Sequence, residues 1–515
     1  MKKALLIYTL TESSYQNALK QGVDVVICFE SKLPADQSQI TIILADDYRI
    51  EGSWKAYEHN RQLWNSMKAK SANEWLIKGI DISPMVLKKW YWGNQAIGSI
   101  FAAAEPYKNS HEWIVQVSYF SKNRIKQTLK WFKLQFISWY KSIVDKTTVP
   151  PIINRKIGVL INNEYELLQY RSILEHLPEQ DILVFHYGNI NLNSLGAIAN
   201  VNIANIQSSI PFKCFSYFNW NVEELSAYNF LQSKWFNTAN AIERINYIKS
   251  SSVSVLLMNV AENLPLRNLL KPILGNGVVL CNTMNGLKAG EAHDADVNFD
   301  YWFVWNQSLK SLLHTTCQIP IDKLIEVGHL SQDLIAHYTN QNTHKSFLDQ
   351  HKDKRVISIF SVRGDRYEKL ATIKWMHQVI ATRTDVVFMY KRHPLETISD
   401  LQHLTSERRI YIVPDQYSND KQALYDQIYA SEFIIVFGST VAYESAWLNT
   451  KAYNFELRKT PFILQGSDPY IQTISSTDEL DKVLSETPQE KPAMQASSSV
   501  AKRIADFILS HVKSF

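Results

Sequence analysis

Residues 157–168 read IGVLINNEYELL, and residues 356–370 read VISIFSVRGDRYEKL. In each, an aliphatic run breaks into a short polar stretch and then into a segment of helical period. Each is followed by a second apolar run, DILVFHYGN at 181–189 and DVVFMYKRHP at 385–394. Continuous apolar runs, in place of strict alternation, are what strands buried on both faces require, and the intervening helices supply the cover. The repeated pattern is strand, polar loop, helix, strand. Its occurrence twice predicts an α/β protein of two Rossmann-like halves facing each other across a cleft.

The rest of the chain fits this frame. A length of 515 residues exceeds what one core usually organises. Hydrophobic residues at 45%, charged residues at 20% and a net charge of +4 describe an ordinary globular protein and give no bulk signal for nucleic-acid binding. Cys28, Cys214, Cys281 and Cys317 are far apart and lack metal-ligand spacing, so they read as reduced thiols of a cytoplasmic protein. The opening MKKALLIYTL leads on without a small-residue cleavage site and reads as a first strand. No apolar run reaches the roughly 20 residues of a membrane span. Further strands are expected at DVVIC and ITIILADD, with a helix at WKAYEHNRQLWNSMKAK. Polar HYTNQNTHKSFLDQHKDK, without apolar periodicity, places the domain boundary near 335–350. The expected division is 1–340, 341–496 and a C-terminal helix over 497–515, after the soft stretch SETPQEKPAMQASSS.

Ligands of open α/β sheets bind outside the carboxyl ends of the strands, where three segments of the second half converge in expectation. In YKRHP, Lys391, Arg392 and His393 can meet phosphate oxygens while Pro394 restricts the turn. In FSVRGDR, Ser361, Arg363 and Gly364 form a cationic strand-to-helix loop. In FGSTVAYES, Ser439 and Thr440 are expected to cap a helix whose free N–H groups bind an anion, with Glu444 placed to accept from ribose hydroxyls. Each segment alone also reads as a solvated turn or an ordinary cap.

Taken in this order, FSVRGDR, YKRHP and FGSTVAYESAWLNTKAYNFE resemble the nucleotide-binding half of the GT-B bacterial surface-polysaccharide transferases. That set includes capsule Kdo transferases, sialyl- and polysialyltransferases with HP and serine/threonine motifs, and CDP-glycerol polymerases of teichoic acid. FDYWFVWNQSLKSLLHTTCQIPIDKLIEVGHLSQD, residues 299–333, resembles their domain junction. The resemblance covers roughly the last 220 residues. It implies a GT-B fold and assigns His393, Ser439 and Thr440 to the cytidine nucleotide of the donor. Two departures stand out: Asn285 occupies a position where many relatives have histidine, and Leu330 one where proline is common.

Transfer of a glycosyl unit needs cations for the departing phosphate and a base for the acceptor hydroxyl. Glu164, directly after IGVLI, is the first candidate base, and Asp294 in NGLKAGEAHDADVNFD, with Glu291, His293 and Asp296 beside it, is the second. No convincing DxD motif stands at a strand end, so metal-independent transfer without a cofactor is expected. In residues 122–143, KNRIKQTLKWFKLQFISWYKSI, apolar residues at helical spacing oppose a lysine arc. This could be a core-packed helix or a peripheral contact with the inner face of the cytoplasmic membrane.

The expected activity is glycosyl transfer from a CMP-linked ulosonic or nonulosonic acid to a glycan or lipid-linked glycan acceptor, in capsule or lipopolysaccharide synthesis. Three alternatives stand beside it. They are a CDP-glycerol-type phosphotransferase, a nucleotide-sugar epimerase of the same form, and a non-catalytic glycan-assembly partner.

Overall fold

The computed structural model describes the chain apart from residues 1, 32, 34–38, 71–75, 78–79, 82, 118–128, 132, 135–148, 189, 207–220, 233–234, 260–263, 285–298, 337–350, 352, 363–366, 394–395, 397–408, 414–420, 458–467, 487–498 and 513–515. Most of the lysine-rich segment 122–143 therefore lies outside the described residues, as do Cys214 and the acidic loop with Asp294. The chain divides into two compact units, residues 1–8, 48–329 and 500–515 forming the first and residues 9–47 and 330–499 the second.

The three N-terminal strands and the helix after them follow the expected order, as β1 (Lys2–Leu10), β2 (Val25–Ser31), β3 (Thr41–Leu44) and α2 (Arg49–Lys70), with helix α1 (Glu12–Lys20) between β1 and β2 in addition. A two-residue antiparallel pair, β4 (Leu76–Ile77) with β5 (Ile80–Asp81), precedes α3 (Ser83–Ala104) and β6 (His111–Val115). β1 pairs in parallel with β6, and β2 with β3. α1 starts where the Thr11 hydroxyl accepts from the Ser14 N–H and the Ser14 hydroxyl accepts from the Thr11 N–H, a capping box that satisfies two end donors at once.

Helices α2 and α3 pack at glycine. A Cβ added at Gly98 would run into the Gly52 carbonyl oxygen, and one added at Gly52 into the Ser99 backbone. The pair is also tied by Asn94 Nδ2 donating to Asn60 Oδ1 at 3.0 Å. Lys70 and Ser66 of α2 both donate to the fully buried Glu224. Burial alone would raise that carboxyl, but these donors and the Asn221 N–H hold it below its ordinary value. Gly98→Ala is expected to lower stability by about 2–3 kcal/mol, since the obstacle is backbone and cannot rotate away. Alanine is the better helix former by roughly 1 kcal/mol, so the loss reports packing. Denaturant titration showing unchanged or increased stability would contradict the close approach.

The main sheet of the first unit has seven parallel strands. They are β7 (Ile157–Ile161), β8 (Ile182–His186), β9 (Ala199–Asn202), β10 (Val255–Asn259), β11 (Val279–Thr283), β12 (Tyr301–Val304) and β13 (Leu324–Glu326). Their spatial order is β13-β12-β11-β10-β7-β8-β9. Between them run α4 (Glu164–Leu174), α5 (Val222–Gln232), α6 (Trp235–Ser250), α7 (Leu264–Leu274) and α8 (Gln307–Cys317). Every residue of β7, β8 and β10 is buried, which is why these strands are apolar in sequence up to the His186 and Asn259 that end β8 and β10. Cys28, Cys281 and Cys317 are buried and outside any disulfide, and burial with the neighbouring Asp300 charge pushes the Cys281 thiol far up.

In the second unit, α9 (Ser331–Ala336) leads to β14 (Arg355–Phe360), α10 (Tyr367–Thr382), β15 (Val386–Lys391), β16 (Ile410–Ile412), α11 (Lys421–Ala430), β17 (Phe433–Val436), α12 (Val441–Trp447), β18 (Lys451–Phe455), β19 (Ile471–Ile474) and α13 (Thr477–Ser485). These strands form one parallel sheet in the order β16-β15-β14-β17-β18-β19. Its core joins Ile357, Ile359, Phe388, Tyr390, Ile435 and Phe437 to the α10 residues Ile373, Trp375 and Met376. At the amino end of this sheet Arg355 grips both oxygens of Glu432 and Arg383 pairs with Asp385. Arg383 holds the Asp385 carboxyl down to about 2.

The chain passes from the first unit to the second at His329/Leu330. Buried Ser331, Asp333 and Ile335 already dock α9 on the second unit, where it packs against α12. The last helix, α14 (Val500–His511), is no separate element. Phe507 packs edge-on against Tyr301 and Phe303, and Arg503 donates to the Val327 carbonyl, which places the helix in the first unit. No helix among the described residues is long and apolar enough to cross a membrane.

Candidate functional site

In the second unit's sheet the chain runs outward from β14 through β15 to β16, then returns to the other side of β14 with β17, β18 and β19. The direction of winding reverses between β14 and β17, so the loops leaving these two strands diverge and open a crevice at their carboxyl ends. Ser361 follows β14, Gly438, Ser439 and Thr440 follow β17, and Lys391 to His393 end the adjacent β15. Three of the segments picked out in the sequence thus belong to neighbouring strand ends of one sheet. Arg363, Gly364 and Pro394 lie outside the described residues.

The His393 turn is held through its backbone. The Ser361 N–H donates to the Lys391 carbonyl at 3.0 Å, which extends the β14–β15 ladder by one residue. The Glu396 N–H donates to the His393 carbonyl at 2.9 Å, and Glu396 Oε2 accepts from the His393 N–H at 2.9 Å. Arg392 Nη1 donates to the Glu396 carbonyl at 2.6 Å, so this guanidinium, expected to face phosphate, braces the turn. Glu396 Oε1 accepts from Lys369 Nζ at 2.6 Å and lies 3.2 Å from the Tyr390 hydroxyl, which is itself 2.8 Å from Ser361 Oγ.

The loop after β17 departs from expectation. Thr440 occupies the cap position of α12 with helical backbone angles, and its hydroxyl makes no capping bond; Ser439 Oγ accepts from the Val441 N–H at 3.3 Å instead. α12 has only seven residues, too short for its dipole to be the main source of anion affinity. What shapes the loop is Gly438, at φ 77°, whose N–H donates to the buried Asn454 Oδ1 at 2.7 Å. Such a backbone angle favours glycine. Glu444 is 4% exposed, and its Oε1 accepts from Lys421 Nζ at 2.6 Å and Ser331 Oγ at 3.0 Å.

The first unit repeats the winding reversal between β7 and β10. Glu164 stands there as the exposed first residue of α4, directly after β7 as expected. The buried acid of this loop is Glu166, whose Oε2 accepts from the Asn162 N–H at 2.7 Å and from Asn162 Nδ2 at 2.9 Å. Asn163 caps α4 by accepting from the Glu166 N–H. His186, which ends β8 as the basic cluster ends β15, is turned inward with Nδ1 3.2 Å from the Gly188 carbonyl. Burial lowers its pKa and favours the neutral ring.

Lys369, Glu396, Tyr390, Lys421 and Asn454 were not candidates from sequence. One signal was available. Lys369 recurs with Ile373, Met376 and Ile380 on the buried stripe of α10, and a lysine on such a stripe requires a buried acceptor.

Two parallel units, each wound outward from a central strand and back, give the chain the GT-B fold. Among solved structures, a Listeria monocytogenes protein assigned as a UDP-N-acetylglucosamine 2-epimerase superposes with a TM-score of 0.50 at 14% identity, covering 70% of this chain and 97% of its own. S. aureus MnaA, in a co-structure with UDP, gives 0.50 at 14%, covering 69% and 96%. The wall teichoic acid polymerase TagF gives 0.41 at 14%, covering 76% and 98%. The sequence matches no family model and no curated protein.

Proposed function

We propose that the protein is a nucleotide-sugar enzyme that holds the nucleotide at the carboxyl ends of β14, β15 and β17 and transfers the sugar to a glycan acceptor. The observation that carries this reading is the placement of Ser361, His393 and the Gly438–Thr440 loop at neighbouring strand ends beside the winding reversal of one sheet. His393, Lys391 and Ser361 supply donors to the phosphate, and Ser439 and Thr440 add hydroxyls. Glu444 accepts from the ribose through Oε2, the oxygen that neither Lys421 nor Ser331 occupies. Glu164 is the carboxylate we assign to proton removal from the acceptor, exposed at the corresponding position of the first unit.

A hydroxyl-and-imidazole site of this kind suits a leaving group with one phosphate, which makes a CMP-linked sugar the favoured donor. CMP is expected to raise the melting temperature more than UDP or GDP at equal concentration, with EDTA leaving the order unchanged, because only a ligand of the folded state stabilises it. At a hundredfold excess over Kd the gain is about 2.7 kcal/mol. A larger shift with UDP, or one abolished by EDTA, would overturn the CMP assignment.

The similarity in fold to the two epimerase structures favours one second reading, in which the nucleotide sugar is isomerised without an acceptor. Incubation with CMP-sugars and UDP-N-acetylglucosamine, each with and without glycan, separates the two. Donor consumption that requires glycan supports transfer, and a changed sugar nucleotide formed without glycan supports epimerisation. Phosphate retained in a glycan product would identify a polyol-phosphate transferase.

A further inference from the structure

We propose that Glu396 and Lys369 form a buried positioning pair that sets the His393 turn and the Ser361 hydroxyl for nucleotide binding. Resting on the nucleotide reading of His393 given above, it adds the device that fixes the imidazole in place. Their side chains are 4% and 5% exposed, and the Nζ–Oε1 distance is 2.6 Å. A buried ion pair is no strong source of net stability, since apolar residues of similar volume often serve as well. Its geometry here does something apolar residues cannot. One carboxylate receives Lys369 of α10 and lies against the Tyr390 hydroxyl of β15 on Oε1, while Oε2 takes the N–H of His393 itself.

The consequences reach both flanking strand ends. The Glu396 N–H closes the same turn on the His393 carbonyl, so both backbone groups of His393 are fixed by one residue. Tyr390 carries the link to Ser361 Oγ at the end of β14. Ser361 and His393 are therefore oriented by a common anchor, whose charge is neutralised by Lys369. The lysine holds the carboxylate in place, and the carboxylate keeps the turn closed.

Three variants separate positioning from simple stabilisation. Lys369→Met with Glu396→Gln removes both charges and keeps an acceptor for the His393 N–H, and Tyr390 can accept from the new amide. Lys369→Met with Glu396→Met removes the acceptor as well. Glu396→Gln alone keeps the acceptor and leaves Lys369 without its charge partner. Two readouts apply: CMP titration, and residue-resolved hydrogen exchange of the His393 amide in the ligand-free protein.

The Met/Gln protein is expected to keep parental exchange protection and CMP affinity. The Met/Met protein, melting no lower, is expected to lose that protection and about tenfold in affinity, the worth of one hydrogen bond to a charged group. Parental protection and affinity in the Met/Met protein would overturn the proposal. If the Met/Met protein does not fold, loss of His393 protection in Glu396→Gln overturns it, and retained protection with a lowered melting temperature supports it. If the parent binds none of CMP, UDP and GDP, the nucleotide reading falls, while the exchange result still decides whether Glu396 anchors the turn.

Discussion

His393→Ala is expected to reduce turnover of the nucleotide sugar by roughly 10²–10³-fold, the loss typical of removing one donor aimed at developing negative charge. Nucleotide affinity should fall with it. Stability should stay within about 0.5 kcal/mol of the parent, because the side chain is only partly buried and the turn is held by backbone bonds that alanine preserves. The contrast with His186 sharpens the expectation. That ring ends the matching strand of the first unit but is turned inward and favoured neutral, so His186→Ala should register in stability more than in nucleotide affinity. Isothermal titration with CMP and UDP, steady-state rates with a competent acceptor, and thermal melts of both variants make the comparison. Parental affinity and turnover in His393→Ala would remove the residue from the site.

The parallel sheets were legible because buried strands must be apolar throughout, and IGVLI, DILVFH, RVISIF, DVVFMY and FIIVF declare themselves. The strand-end rule then placed KRHP, the serine after RVISIF and the GST loop on one edge without any side-chain geometry. What sequence could not give was which charges meet. Arg392 and Lys391 are alike in the string, yet one guanidinium is bonded to the Glu396 carbonyl. Glu164 and Glu166 are two residues apart, and it is the second that accepts from the half-buried Asn162 N–H. The pattern NEYE does carry a capping signal that marks Glu166 as the structural acid. The same limit holds beside the step from the first unit to the second. Polar composition marks where chain meets solvent, whereas Ser331 and Asp333 are polar and buried because Ser331 donates to Glu444 and Asp333 accepts from Ser499.

Lys421→Met is expected to cost about 3–5 kcal/mol, the range found when one member of a buried ion pair is removed and the other is left behind. Glu444 is 4% exposed, and after the substitution the Ser331 hydroxyl would be its remaining hydrogen-bond donor among the described residues. Adding Glu444→Gln should recover most of the loss, since a neutral amide can be satisfied by Ser331 where a lone carboxylate cannot. The double variant then isolates the ligand role. If Glu444 Oε2 accepts from ribose, the rescued protein should still bind CMP but lose its preference for CMP over deoxycytidine monophosphate, because an amide of uncertain orientation replaces a charged acceptor. Denaturant titration of the single and double variants measures the first effect, and paired nucleotide titrations measure the second. A cost below 1 kcal/mol for Lys421→Met would mean that the pair is not desolvated. Unchanged ribose discrimination in the double variant would confine Glu444 to holding α9 against α12, since Ser331 belongs to the one helix and Glu444 to the other.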